Sequence, residues 1–191
     1  MNNKKLTVTI GIPAYNEEAN IQLLLKKLLN QKLSPQIKLQ EVIVISDGST
    51  DRMVEITKSV KSGLIKVIES KKRLGHQESQ NQLISLFKGD VLIIIEADTL
   101  PYDDKTLSTL VAPFLKENNQ KIVMVTGKAI SLQAKTLVEK IDSHGTKIKY
   151  NIFSEWRNGD NLYSTGGHAM KALSRNFATK LIFPTDVQED S

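Results

Sequence analysis

Val91-Leu92-Ile93-Ile94-Ile95 is an uninterrupted apolar run, and it stops at Glu96-Ala97-Asp98. Five β-favouring residues without polar alternation indicate a strand that is buried on both faces, as in a sheet covered by helices. Because side chains alternate along a strand, we expect Glu96 and Asp98 to point the same way just beyond its carboxyl end. Ligands bind at that edge of open α/β sheets, and Mg²⁺ typically uses one or two protein carboxylates with substrate phosphates. The stretch therefore fits a cation site, and it also fits an ordinary acidic turn before a helix that Asp103-Asp104 would cap.

Strand and helix patterns alternate along the rest of the chain. Further strands are predicted at 6–12, 41–46 and 64–69, an extended segment at 122–130, and helices near 16–29, 49–63, 77–88, 103–117 and 134–152. Alternation at this spacing is typical of βαβ units. The predicted fold class is therefore α/β, with a mainly parallel, doubly wound (Rossmann-like) sheet flanked by helices.

Asn16 is expected to cap the first helix, because its side chain can bond to free amide groups there. Glu17 and Glu18 would then lie in the first turn, at the favourable end of the helix dipole. The apolar face of this helix follows helical spacing and consists of Ile21, Leu24, Leu25, Leu28 and Leu29.

The composition is that of one globular domain. The chain has 191 residues, 40% hydrophobic and 25% charged, and no apolar stretch approaches the ~18 residues that span a bilayer. It contains no cysteine, which agrees with a reducing compartment, so we expect a cytoplasmic protein or one at the inner face of the membrane.

Residues 1–75 carry 13 Lys and Arg against 7 Asp and Glu, an excess that suits a phosphorylated ligand or an anionic membrane. Nucleic acid is not an expected partner, because the lysines are scattered and aromatic residues are few.

Each of the first four strands ends in small or acidic residues or an arginine. These carboxyl-end segments are Pro13 to Glu18, Ser46 to Asp51, Arg73 to His76, and Glu96 to Asp98. The helix start beside Gly48 offers free N–H groups to phosphate or ribose, and Asp47 can accept hydrogen bonds from a base or sugar. The same segment also fits a tight turn with a helix cap. Neither Gly-x-Gly-x-x-Gly nor a phosphate-loop motif is present, which excludes those two nucleotide sites.

In this order and spacing, four motifs resemble those of the family 2 glycosyltransferases, which have the GT-A fold. They are Pro13-Ala14-Tyr15-Asn16-Glu17-Glu18, Asp47-Gly48-Ser49-Thr50-Asp51, Glu96-Ala97-Asp98 and Glu189-Asp190. The resemblance covers Thr7 to Asp190. It implies one GT-A domain over 1–191, with a nucleotide-sugar-binding half at 1–100 and an acceptor-side half at 101–191 that is incomplete at its C-terminus.

The resemblance implies the site residues of the first half. It places Pro13, Ala14, Tyr15, Glu17, Asp47, Arg73, Glu96 and Ala97 around a nucleotide-sugar, with Asp47 gripping the base. Asp98 matches the metal-binding Asp of the family's Asp-x-Asp motif, with Mg²⁺ or Mn²⁺ as the implied cofactor. Arg73 to Asn81 resembles the family's Arg-x-Gly-Lys-x-x-Ala-x-Asn stretch, although His76 replaces its Lys. We interpret His76 as an exposed histidine at the start of a helix.

The resemblance also implies the residues of the acceptor half. Gly166 and Gly167 match a loop beneath the donor sugar, where a missing side chain lets backbone approach substrate. Asp190 matches the general base and Glu189 its neighbour, with Asp186 a nearby rival. The implied reaction moves a sugar, UDP-linked by expectation, to a hydroxyl of a glycan or lipid-linked acceptor with inversion. A catalytically inactive nucleotide-sugar-binding module is the alternative, and any membrane association would come through sequence outside this chain.

Overall fold

The computed structural model describes residues 5–116, 122–127 and 170–185, together with positions 130, 136, 141, 145 and 148. Numbered in chain order, the strands are β1 (Leu6–Ala14), β2 (Ile37–Asp47), β3 (Ile65–Ser70), β4 (Val91–Ile95), β5 (Met124–Thr126) and β6 (Met170–Ser174). The helices are α1 (Ile21–Leu29), α2 (Met53–Ser59), α3 (His76–Leu86), α4 (Thr106–Val111) and α5 (Arg175–Ala178). A 3₁₀ turn, Ala112–Leu115, continues α4.

These strands form one mixed sheet in the order β3-β2-β1-β4-β6-β5. The first four strands are parallel to one another, whereas β6 runs antiparallel to both β4 and β5. Helices cover both faces, and every residue of β4 is buried, as its unbroken apolar run predicts. The prediction of a mainly parallel, doubly wound α/β fold is confirmed.

Two apolar clusters fill the space between sheet and helices. On one face, strand residues such as Ile10 and Ile12 pack in a cluster with Leu24 and Leu25 of α1. On the other face, Leu83 of α3 belongs to a second cluster; its strand members are Ile43, Ile45, Leu92, Ile94 and Leu173. Gly11 of β1 lets α3 approach closely, because a Cβ there would lie 2.8 Å from the Leu83 methyl groups. The sheet is therefore held firmly on both sides, and its carboxyl edge becomes a rigid support.

The prediction that Asn16 caps α1 is wrong. The helix begins at Ile21 after Asn20, and Glu17 and Glu18 precede it rather than occupy its first turn. Asn16 has a positive φ of 54° and accepts a hydrogen bond from the Thr50 amide at 2.8 Å. Its side chain is therefore committed to the loop after β2, a tertiary contact that outweighs local capping.

Several predicted bounds also shift. β1 continues through Pro13 to Ala14, which is tolerated because Pro13 lies beyond the last pair with β4 and pairs only with β2. β2 begins earlier than predicted, because Ile37 to Leu39 pair with the start of β1. The helix predicted at 103–117 is split into α4 and the 3₁₀ turn. Of the extended segment predicted at 122–130, the described residues form the short strand β5. Most of the helix predicted at 134–152 lies outside the described residues, although the described positions 141, 145 and 148 are helical. No described helix is long and apolar enough to cross a bilayer.

Candidate functional site

A cavity of about 420 Å³ opens where β1, β2 and β4 end. Its lining includes the nine predicted site residues that the structure describes: Pro13, Ala14, Tyr15, Glu17, Asp47, Arg73, Glu96, Ala97 and Asp98. His76 and Ser79 of α3 complete it. The predicted Asp190, Glu189, Gly166 and Gly167 lie outside the described residues, as does Asp186. The fold thus brings together the residues predicted to bind a nucleotide-sugar and a metal, while their individual roles stay predictions.

Asp47 holds the loop that leads into α3. Its carboxylate accepts hydrogen bonds from the amides of Leu74 at 2.7 Å and Gly75 at 2.8 Å, and the residue is only 4% exposed. Gly75 has a φ of 99°, which favours glycine, and α3 starts immediately after it. A carboxylate has about four acceptor positions, so Asp47 retains capacity toward the cavity. This loop-fixing role was not foreseen from the sequence.

Arg73 and Tyr15 form one wall of the cavity. The guanidinium carbon of Arg73 lies 4.2 Å from the centroid of the Tyr15 ring, a cation–π contact. Gly48, with a φ of 69°, packs beneath this wall. A Cβ at that position would lie 2.6 Å from the backbone nitrogen of Arg73. The turn after β2 therefore supports Arg73 directly through backbone packing.

The loops after β1 and β2 are tied together by hydrogen bonds between them. The Glu18 amide donates to Asp51 at 2.8 Å, and the Arg52 amide donates to Glu18 at 3.0 Å. Asp51 also accepts from the Met53 amide at 3.1 Å, so it helps to start α2. These reciprocal bonds hold the ends of β1 and β2 together at the wall of the cavity.

Glu96 and Asp98 occupy different environments, although both line the cavity. The Glu96 carboxylate lies 3.4 Å from Nε2 of His76 and is partly buried. Asp98 is exposed, and its carboxylate accepts a hydrogen bond from the Thr99 hydroxyl at 3.3 Å. The acidic turn also serves the next helix, because Asp103 accepts hydrogen bonds from Lys105 and Thr106 ahead of α4.

The interpretation of His76 as an exposed residue is wrong. It does begin α3, but its side chain is only 33% exposed and lies in the cavity beside Glu96. The cause is tertiary, since the start of α3 lies beside the end of β4, where His76 Nε2 is 3.4 Å from the Glu96 carboxylate. No local sequence pattern around His76 predicts its contact with Glu96.

Lys171 of β6 is a residue that sequence reasoning missed. It is half-buried, and burial lowers the pKa of its ammonium group, an effect that the Glu96 carboxylate opposes. Its Nζ donates a hydrogen bond to the Gln80 side chain at 2.8 Å. Glu96 therefore lies in the field of Lys171 and beside His76. A single lysine between the apolar residues Met170 and Ala172 was the available signal.

Residues 9–181 match the family model described as glycosyl transferase family 2. The chain belongs to this family. The probable glycosyltransferase YdaM of Bacillus subtilis (strain 168) is 34% identical over 139 residues, which cover 70% of this chain and 32% of that protein. The chain therefore spans about a third of the length of this curated relative.

Solved structures share the fold. The mannosyltransferase PcManGT from Pyrobaculum calidifontis, in complex with GDP-Man and Mn²⁺, matches with a TM-score of 0.69 and 20% identity, covering 96% of this chain and 49% of that one. Glucosyl-3-phosphoglycerate synthase from Mycobacterium tuberculosis, with Mn²⁺, UDP and phosphoglyceric acid, matches with a TM-score of 0.62 and 21% identity, covering 90% and 56%. At such identities the likeness shows a GT-A fold.

The donor set at the cavity fits a hard divalent cation that is completed by substrate. Among the described residues, no group of three or more His, Cys, Asp or Glu side chains could hold a metal by itself. The exposed Asp98 offers carboxylate oxygen, which Mg²⁺ and Mn²⁺ prefer, and Mg²⁺ commonly takes its other ligands from phosphates and water. The site therefore suits a cation that binds together with a diphosphate better than a cation held by protein side chains alone.

Proposed function

We propose that this chain forms the donor-binding part of an inverting glycosyltransferase, which moves a sugar from a nucleoside-diphosphate sugar to the hydroxyl of a glycan or lipid acceptor. One observation carries the proposal. A single cavity combines the Arg73–Tyr15 wall and the anchored Asp47 at one end with the exposed carboxylate of Asp98 at the other. Residues 1–100 would bind the donor, and residues 101–191 would belong to the acceptor side.

The nucleotide would lie at the ends of β1 and β2. The flat guanidinium of Arg73 and the ring of Tyr15 suit contact with a base, and the free acceptor positions of Asp47 suit an N–H of uracil. Pro13, Ala14 and Glu17 would line the same pocket. We propose UDP as the nucleotide; one structural neighbour was solved with UDP and another with GDP-Man, so GDP is the natural comparison.

The diphosphate and sugar would lie at the end of β4. Asp98 would hold Mg²⁺ or Mn²⁺, which when bound stabilises the charge of the leaving diphosphate. Glu96, beside His76 and near Lys171, would accept hydrogen bonds from the donor sugar rather than bind the cation. Ala97 lies between the two carboxylates in the sequence; it is buried and would line the same part of the cavity.

The acceptor half would supply the base. In a single displacement, Asp190 would take the proton of the acceptor hydroxyl. The hydroxyl oxygen would bond to the anomeric carbon as the bond from that carbon to the diphosphate breaks. Glu189 would adjoin the base, and the loop with Gly166 and Gly167 would lie beneath the sugar. The support for these positions is their motif spacing in the sequence.

Calorimetry and a transfer assay test the proposal together. The protein, in its longest natural form, is titrated with UDP and with GDP, each with and without Mn²⁺, and is then given UDP-sugars with a panel of glycan and lipid acceptors. We expect UDP to bind more tightly with Mn²⁺ and sugar to be transferred with inversion. Equal weak heats in all conditions would contradict the donor site. Tight, metal-dependent binding without any turnover would instead favour an inactive nucleotide-sugar-binding module.

A further inference from the structure

Asn81 of α3 is paired with the backbone of Phe183, a residue 102 positions away in the sequence. Its Nδ2 donates to the Phe183 carbonyl at 2.9 Å, and the Phe183 amide donates back to Asn81 Oδ1 at 2.9 Å. This reciprocal pair occupies both polar groups of one backbone residue with one side chain. Such a contact fixes both the position and the orientation of the chain at Phe183.

The neighbouring side chain of α3 holds the strand that comes before this segment. Gln80 accepts a hydrogen bond from Lys171 of β6, and the Lys171 ammonium lies 5.1 Å from the centroid of the Phe183 ring. Two consecutive α3 residues thus hold both ends of the stretch from β6 to Phe183. In the sequence, Lys171 follows Gly167 by four residues and Phe183 precedes Asp190 by seven.

Apart from the Lys171 contact and the packing of Leu181 on the second apolar cluster, the described residues around Phe183 are largely exposed. Ile182 is 86% exposed, and Pro184 and Thr185 are exposed as well. Apolar burial is therefore small at residues 182–185, and the two hydrogen bonds to Asn81 are the main polar contacts that hold Phe183 in the described part of the chain. The same helix lines the donor cavity through His76 and Ser79, so α3 links that cavity rigidly to Phe183.

We propose that Asn81 is a positioning residue for the acceptor half: it fixes the point from which the chain enters the acidic segment 186–190, so that the base meets the donor cavity. The proposal rests on the proposed function, because it assumes that Asp190 is the base. A misplacement of about 1 Å can cost up to 10²-fold in rate. Loss of the Asn81 pair should therefore slow transfer while the donor cavity stays intact.

The test compares Asn81→Ala and Asn81→Asp with Ser85→Ala in the longest natural form of the protein. Asn81→Asp keeps the acceptor for the Phe183 amide but loses the donor to its carbonyl. Ser85 is an exposed residue of the same helix that donates only to the Gln82 carbonyl, so it controls for changes to the helix. Each variant is measured for UDP affinity with Mn²⁺, thermal midpoint, and kcat and KM of transfer.

We expect kcat to fall about 10- to 100-fold in Asn81→Ala and also in Asn81→Asp, whose carboxylate oxygen would oppose the Phe183 carbonyl, with UDP affinity within about 2-fold and Ser85→Ala unchanged. An unchanged kcat in both variants would overturn the positioning role. A parallel loss of UDP affinity and kcat would overturn it too, in favour of a purely structural role. If Asn81→Ala does not fold, Asn81→Asp decides by the same criteria.

A parent protein that binds UDP but transfers no sugar would refute both the assignment of the base and this proposal. An active parent with equally active variants would refute this proposal alone.

Discussion

The guanidinium of Arg73 lies against the ring of Tyr15, at 4.2 Å from its centroid, and so joins the loop before α3 to the end of β1. The two residues are 58 positions apart in the sequence, and each belongs to a loop that is anchored separately. Asp47 anchors the Arg73 loop through the Leu74 and Gly75 amides, and Ser49 and Thr50 anchor the Tyr15 loop through Asn16. The contact is therefore preorganised.

Arg73→Ala should weaken UDP binding about 3- to 10-fold, because an exposed cation–π contact contributes roughly 0.5–1 kcal/mol and Arg73 also lines the cavity proposed for the donor. Lys72→Ala is the matched control, since Lys72 is an exposed cation in the same loop that does not line the cavity. Calorimetry with UDP and Mn²⁺ measures both. Equal affinities of the two variants would contradict a role for Arg73 in binding.

Asp98→Asn should abolish the Mn²⁺ dependence of UDP binding and leave the fold intact, because it removes a charge at an exposed position rather than core volume. Asp104→Asn is the control: it removes an exposed carboxylate that pairs with Lys32 outside the cavity. Glu96→Gln should be milder, because Glu96 faces His76 and Lys171. If Asp98→Asn binds UDP and Mn²⁺ like the parent, the cation is held elsewhere.

Asp190→Asn should reduce transfer by ~10²–10⁴-fold, the usual contribution of a positioned base, with donor affinity nearly unchanged. Initial rates with saturating donor, together with UDP calorimetry, separate the two effects. Asp186→Asn is the comparison, because Asp186 is the predicted rival for the base, four residues before Asp190 in the sequence. Transfer that survives Asp190→Asn and disappears in Asp186→Asn would move the base four residues upstream.

Gly48→Ala should both destabilise the protein and weaken UDP binding. The added Cβ would lie 2.6 Å from the backbone nitrogen of Arg73, and the φ of 69° strains any residue other than glycine. Gly63→Ala offers the control, since a Cβ there meets nothing within 4 Å. Thermal unfolding and UDP affinity measure the two consequences. A normal UDP affinity in a folded Gly48→Ala protein would show that Arg73 does not depend on this packing.

Glu41→Gln should lower the free energy of unfolding by about 1–3 kcal/mol at pH 7. Glu41 is 2% exposed; it accepts hydrogen bonds from Lys66 at 2.6 Å, Thr9 at 3.0 Å and the Lys88 amide at 3.0 Å. Burial opposes its ionisation, but these bonds outweigh that effect and lower the pKa of Glu41 below 4.5.

The lowered pKa of Glu41 predicts how the stability of the protein depends on acid pH. Because the folded pKa of Glu41 lies below the unfolded value, its stabilisation is complete above about pH 4.5 and is lost as the pH falls through the folded pKa. Urea unfolding between pH 7 and pH 3 should therefore be less pH-dependent in Glu41→Gln than in the parent. Glu69→Gln is the control, because Glu69 pairs with Lys58 at an exposed site, where an ion pair contributes little. An equal loss in both variants at pH 7 would contradict the importance of burial.

The sequence predicts β4 to the residue, because an apolar run bounded by polar residues needs no tertiary information. It also places the first nine site residues at one edge, since parallel strands end on the same side of a sheet. Asn16 and His76 were misread because each is placed by a contact with another part of the chain, to Thr50 and Glu96 respectively. Lys171 was missed for the same reason: only the antiparallel pairing of β6 with β4 brings it near Glu96.

The place of β6 in the sheet has a consequence for synthesis on the ribosome. Within the described part of the chain, β5 pairs only with β6, and β6 also covers the edge of β4. After β4 has emerged, the 74 residues from 96 to 169 must still be translated before Met170 appears, which takes about 4–15 s at ordinary elongation rates. During that interval the nascent chain carries an unpaired strand edge of five apolar residues. Ribosome pausing within residues 96–169 should therefore favour aggregation or chaperone capture, whereas pausing after residue 174 should not.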